Sequence, residues 1–371
     1  MPLLALAYLA FIGLGLPDPL PGTLWPEVAP DYGLPNAALG LVLAGLAVGY
    51  IAAGLLAGRI IAAIGVGWVL AASLGATALA AAGQAFAPPW AVFVALATLA
   101  GLGGGAVDAA LNAYAAARFS PRHLNWLHAC WGIGATLGPA AATALLAAGA
   151  GWQAVYAGAA SVLAALALGF AMTRRRWDDG RRVAGPSVSA LSALRSPLVR
   201  QQMLVFFVYT GLETGAGQWA PTVFAARGAT PANSAAAAAL FWAGLAGTRI
   251  AMGFVVDRIG ADRLLRLAVP VSIVAAAVFA LGIADTAALL LLAAMLAPVY
   301  PTMMARTPAR LGPLAVHAIG FQVASAMAGV AVLPGLMGIA ADLFGAEAVP
   351  LMLLACAILL AVLVWRLPGT R

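Results

Sequence analysis

A chain of 371 residues that is 64% hydrophobic and only 8% charged lies far from the about 25% charged residues of an average soluble domain, which places it in lipid. Crossing a bilayer takes about 20 apolar residues, so twelve crossings use roughly 240 and leave too little chain for an independent soluble domain. The formal charge of +7 comes from nineteen Arg with no Lys, set in short runs between apolar segments; that is the distribution of membrane-orienting loops, not of a nucleic-acid surface.

The chain is apolar from Pro2, with neither a basic n-region nor a small-residue cleavage site, and so opens on a crossing. Apolar runs between charged or Pro/Gly breaks predict twelve helices, centred near residues 15, 47, 77, 103, 137, 162, 212, 246, 274, 296, 328 and 356. Placing the N-terminus in the cytoplasm of an inner or plasma membrane gathers seventeen of the nineteen Arg there, with Arg227 outside and Arg249 inside helix 8. The opposite face keeps Glu27, Asp31, Asp285, Asp342 and Glu347. The expectation is an all-α integral membrane protein with both termini cytoplasmic. Cys130 and Cys356 sit in apolar stretches, which gives neither a disulfide framework nor a metal site, and no cofactor is implied.

The longest polar interval, 174–200, opens RRRWDDGRR and separates two near-equal halves, 1–173 and 201–371. A duplication is testable within the chain: AGLAVGYIAAGLLAGRI from Ala44 aligns without a gap on AGLAGTRIAMGFVVDRI from Ala243, offset 199, with nine identities in seventeen. Two six-helix halves joined by a cytoplasmic linker is the parallel-repeat plan of the major facilitator superfamily. The second copy runs on as GFVVDRIGADR from Gly253, which resembles that superfamily's G-x-x-x-D-R-x-G-x-x-R signature. The resemblance implies a gate in which the Asp257 carboxylate, beside Arg258, accepts from arginines of a neighbouring helix. Gly58 stands at the matching place in the first half, so a lock there is weakened. Arg249, two turns before Asp257, reads as a partner in the same gate.

A carboxylate in hydrocarbon costs at least about 2.5–3.5 kcal/mol on insertion scales, and three occur, Asp18, Asp108 and Glu213, on helices 1, 4 and 7. Asp18 lies in GLPDPLPG, where three prolines break the helix at mid-depth and require the exposed backbone to line water or be buried in protein. Asp108 and Asn112 share one face at i, i+4, as do Tyr209 and Glu213, with Gln218 and Trp219 beyond them. Helix 5 carries His128 and Trp131 one turn apart, followed by Gly134 and Gly138, a small-x3-small packing face that also resembles the antiporter motif of drug exporters. Tyr300 and Gln322 are further polar candidates on helices 10 and 11. An aromatic beside hydrogen-bonding side chains suits a sugar, with its apolar C–H face and hydroxyl edge.

DAALN from Asp108, HLNWLHACWGIGA from His123 and YTGLETGAGQW from Tyr209 resemble helices 4, 5 and 7 of the fucose permease branch, the fucose–galactose–glucose proton symporters. In that branch an acid of helix 1 and one of helix 4 handle the proton and bind sugar hydroxyls, a role that carries over to Asp18 and Asp108. The chain departs from the branch in helix 5, where His128 and Trp131 replace amide side chains. The expected function is proton-coupled symport of a small polar solute, a hexose, by alternating access in a monomer. A proton-driven exporter of drug-like or amphipathic compounds is the alternative. His123, His128 and His317 lack the spacing that a membrane enzyme would need.

Overall fold

The computed structural model describes residues 3–119, 121–177 and 190–367, with side chains except at 57–58, 113, 116–117, 121–122, 124–125, 190, 253–257, 261, 313 and 316. Among the described residues the secondary structure is helical throughout. In chain order the α-helices are α1 (Leu3–Gly15), α2 (Leu20–Thr23), α3 (Trp25–Tyr32), α4 (Ala38–Ile64), α5 (Val66–Ala85), α6 (Trp90–Arg118), α7 (Pro121–Ala147) and α8 (Trp152–Thr173). There follow α9 (Ala190–Arg195), α10 (Pro197–Ala226), α11 (Pro231–Ile259), α12 (Ala261–Ala280), α13 (Asp285–Leu296), α14 (Val299–Leu311), α15 (Ala315–Phe344) and α16 (Ala348–Trp365). Pro197 and Pro231 open α10 and α11, where a missing N–H costs nothing and the fixed φ is already helical.

Eleven segments among the described residues are long and apolar enough to cross a bilayer; Leu3–Thr23 joins α1 and α2, and Asp285–Leu311 joins α13 and α14. The sequence reading counts twelve. The difference is α10, whose 30 residues include Arg200, Gln201, Gln202, Glu213 and Gln218 and so dilute its apolar content. Leu55, Leu79, Leu168 and Leu343 are 63% or more exposed, which water would penalise and hydrocarbon does not.

Packing divides the chain into two compact units, Met1–Gly180 with Gln218–Ala243, and Arg181–Gly217 with Gly244–Arg371. The segment Gln218–Ala243 of α10 and α11 therefore packs with the first unit, although it lies beyond the 174–200 linker of the sequence reading. Residues 178–189 of that linker lie outside the described residues.

The first unit closes on Phe11, Leu70, Leu74, Leu111, Leu163 and Phe170, from α1, α5, α6 and α8. α1 lies against α7 at Gly134 and Gly138, where an added Cβ would overlap the backbone carbonyl oxygens of Ile12 and Leu16. The small-x3-small pair is thus the packing face that seats the broken first helix. One end of this unit is held by aromatics: Tyr32, Trp90, Phe93 and Trp152 pack ring to ring, and Trp152 Nε1 donates to Asp31 at 2.7 Å. Beside that pair, partial burial and the Asp31 charge push the Tyr32 phenol above its ordinary range.

In the second unit α12 packs on α13 and α16, burying Val269, Phe279, Leu292, Leu353 and Leu360. Ala297 and Pro298 interrupt the tenth crossing between α13 and α14. Overpacking a tight crossing costs about 1–3 kcal/mol, so Gly138→Leu should lower the midpoint of thermal unfolding in detergent by several degrees. Gly75→Ala, where a methyl meets nothing within 4 Å, should not lower it.

Candidate functional site

Each membrane-embedded carboxylate has drawn its own partners, and the two units do this differently. In the first unit α1 stops at Gly15 and the chain turns through residues 16–19 before α2, so Asp18 stands in non-helical backbone as its prolines predict. Trp131 Nε1 donates to Asp18 Oδ2 at 2.9 Å. The backbone freed by the break is satisfied by one side chain: the Gly22 N–H donates to Gln218 Oε1 at 2.6 Å, and Gln218 Nε2 donates to the Asp18 carbonyl at 2.8 Å. Position 22 has to be glycine for this clasp, because a Cβ there would collide with the Gln218 backbone and side chain.

Asp108 of α6 is bracketed by neutral donors. Tyr50 of α4 donates its hydroxyl to Oδ2 at 2.5 Å, and Asn112 Nδ2 donates to Oδ1 at 2.8 Å. Asp18 and His128 both lie close enough to Asp108 for their charges to interact with it. The His128 ring meets Phe11 edge-on at 5.5 Å, and Trp131 meets Trp242 edge-on at 5.7 Å. Asp18 with Trp131, and Asp108 with Asn112, are thus hydrogen-bonded pairs of the first unit, joined by Tyr50 at Asp108 and by Trp242 on the Trp131 ring, two residues the sequence reading missed. Trp219 is fully buried.

The second unit holds Glu213 by a charge. Glu213 Oε2 accepts from the Tyr209 hydroxyl and, at 2.8 Å, from Arg249 Nη2. Arg249 Nη2 also reaches the Tyr209 oxygen at 3.0 Å, and its Nε donates at 3.3 Å to the carbonyl of Ala297, where the tenth crossing breaks. Arg249, read from the sequence as a gate partner, is tied to Glu213 of another helix. The Tyr300 ring packs on Phe206 and Tyr209 at 5.0 and 6.2 Å.

Gln322 is fully buried and spends its amide on Gln202 at 2.5 Å and Thr307 at 3.1 Å. Its bonds thus tie three helices together. The Asp257 side chain lies outside the described residues, and Arg258 is exposed. Among the described residues, Asp262 carries arginines at this end, Arg306 at 2.7 Å and Arg310 at 2.9 Å.

In the ungapped repeat alignment Tyr50 falls on Arg249. The same place in each half thus supplies the partner of that half's embedded carboxylate, a neutral hydroxyl in one and a fixed cation in the other.

A family model described as the Major Facilitator Superfamily matches residues 3–313. The chain belongs to that superfamily, a family of transporters rather than enzymes. Among solved structures it is similar to the D-xylose-proton symporter, at 15% identity over 99% of this chain and 98% of that one, with a TM-score of 0.79. The nucleoside transporter NupG is similar at 15% identity over 99% of both chains, with a TM-score of 0.77. The E. coli fucose:proton symporter FucP, solved as a single-residue variant, is similar at 17% identity over 99% and 98%, with a TM-score of 0.67. At these identities the likeness establishes the fold. Among curated proteins no sequence matches.

Breaking a buried ion pair from one side costs about 3–5 kcal/mol, because it strands the other charge. Arg249→Gln should accordingly lower the unfolding midpoint in detergent sharply. Adding Glu213→Gln should recover most of the loss, and a double-mutant cycle reads the coupling directly.

Proposed function

We propose that the chain is a proton-coupled symporter of a small polar solute, a hexose-type sugar. In this reading it works as a monomer by alternating access between two six-helix bundles, with twelve crossings and both termini cytoplasmic in the inner or plasma membrane. Asp18 and Asp108 carry the proton.

The observation that supports this best is the partner set of Asp108. A phenol and an amide are neutral groups beside which a carboxylate can gain and lose a proton without stranding a buried cation. Glu213 differs in being ion-paired with the Arg249 guanidinium, a partner that favours its ionised form and is oriented by it. Asp18, on a broken helix, can be solvated when a cavity opens and desolvated when it shuts.

The solute side of the proposal draws, in the first unit, on the aromatic face of Trp131 and on the polar groups of Asn112 and His128. The named solutes of the similar structures, D-xylose, fucose and nucleosides, share a hydroxylated ring, which fits that mixture of faces and hydrogen-bonding groups. Asp257 and Arg258 keep their proposed gating role.

In proteoliposomes, Asp108→Asn should abolish accumulation against a gradient while counterflow exchange persists in part, since the amide imitates the protonated acid. Uphill uptake retained by both Asp18→Asn and Asp108→Asn would refute the assignment. A wild-type protein that extrudes cationic amphiphiles and gives no saturable hexose uptake would favour the exporter.

A further inference from the structure

α12 is sharply one-sided. Leu265, Val269, Ser272, Ala276 and Phe279 are buried, whereas Leu267, Val271, Val274 and Leu281 are 57%, 38%, 57% and 71% exposed. The exposed residues recur at steps of four, three and seven, with half-buried Val278 between the last two, which makes an apolar stripe along one helix face. From Leu267 to Leu281 the stripe runs about 21 Å, more than the ~15 Å of one bilayer leaflet. At its N-terminal end the same face carries Arg263 and Arg266, both exposed.

The charge at that end is unbalanced. Asp262 takes ion pairs from both Arg306 and Arg310, one carboxylate against two guanidiniums. Arg310 Nε is buried with no hydrogen-bond partner, and no acidic residue occurs from 263 to 284 or from 299 to 311. With Arg263 and Arg266 the excess is three positive charges, and counting Asp257 together with Arg258 beside it leaves it at three. A guanidinium pair above a leaflet-long apolar track matches an anionic headgroup above an acyl chain, because the planar fork of Arg binds phosphate through paired N–H donors.

We infer that this face of α12 binds an anionic phospholipid, its phosphate held by Arg263 and Arg266 beside Arg306 and one acyl chain lying along Leu267, Val271 and Val274. The inference rests on the membrane setting and the second unit's own geometry, so it is independent of which solute the protein moves. Each arginine near a charged lipid surface adds about 1 kcal/mol, or about fivefold, so the two together supply about 25-fold selectivity over a zwitterionic lipid.

The test is native mass spectrometry of the purified protein offered an equimolar mixture of phosphatidylglycerol and phosphatidylcholine. Wild type should retain phosphatidylglycerol selectively, and Arg263→Gln/Arg266→Gln should lose about 25-fold of that preference. Arg263→Lys/Arg266→Lys, which keeps the charge and the fold, should lose only part. The control Arg59→Gln/Arg195→Gln, which removes two exposed arginines outside α12 and the helices packed on it, should lose none. Undiminished selectivity in the glutamine variant, or an equal loss in the control, would overturn the site.

Discussion

A carboxylate within the hydrocarbon has to find in protein groups the solvation it has left behind in water, and the arrangement of both units follows from how that is met. α4 and α6 meet where Tyr50 reaches Asp108. α7 is drawn to the broken first helix by the Trp131–Asp18 bond as well as by the glycines that let the two backbones approach. In the second unit, Arg249 draws Glu213, Tyr209 and the interrupted tenth crossing around one guanidinium. These bonds are few. Each is worth more than it would be in water, because the alternative is an unsatisfied charge in a medium that cannot solvate it.

The repeat makes the difference between the units informative. One ancestral helix position now carries a phenol in the first half and a guanidinium in the second. A carboxylate among neutral donors is free to exchange a proton, whereas one bound to a permanent cation is held in its ionised form. The proposed division of labour, coupling in the first unit and a fixed electrostatic anchor in the second, needs no difference in backbone fold between them. A change of side chain at one equivalent position suffices.

Much of this is legible in the sequence alone. Composition places the chain in lipid, the three prolines around Asp18 mark the break, and the i, i+4 spacings of Asp108 with Asn112 and Tyr209 with Glu213 correspond to real contacts. Long-range partners are not legible, because helical spacing reports only neighbours on one helix. Arg249 sits two turns from Asp257, and nothing in that spacing announces its ion pair with Glu213 across a helix boundary. Tyr50, a single phenol in an apolar run, has no periodic signal; only its alignment with Arg249 marks it. Gln218 and Gln322 look like ligand groups in a sequence and are occupied by the protein itself, one by the backbone freed at Gly22 and Asp18, the other by Gln202 and Thr307.

The central claim is that the proton is handled in the first unit and that the Glu213–Arg249 pair stays fixed. Its most direct test is to count the protons taken up or released by purified protein on addition of a transported sugar, followed with a pH-indicating dye in weak buffer. The account predicts that Glu213→Gln/Arg249→Gln, which removes both charges together, keeps the wild-type proton signal per bound sugar, and that Asp108→Asn loses it while still binding sugar. A proton signal that survives in Asp108→Asn and vanishes in the Glu213→Gln/Arg249→Gln protein would contradict the account.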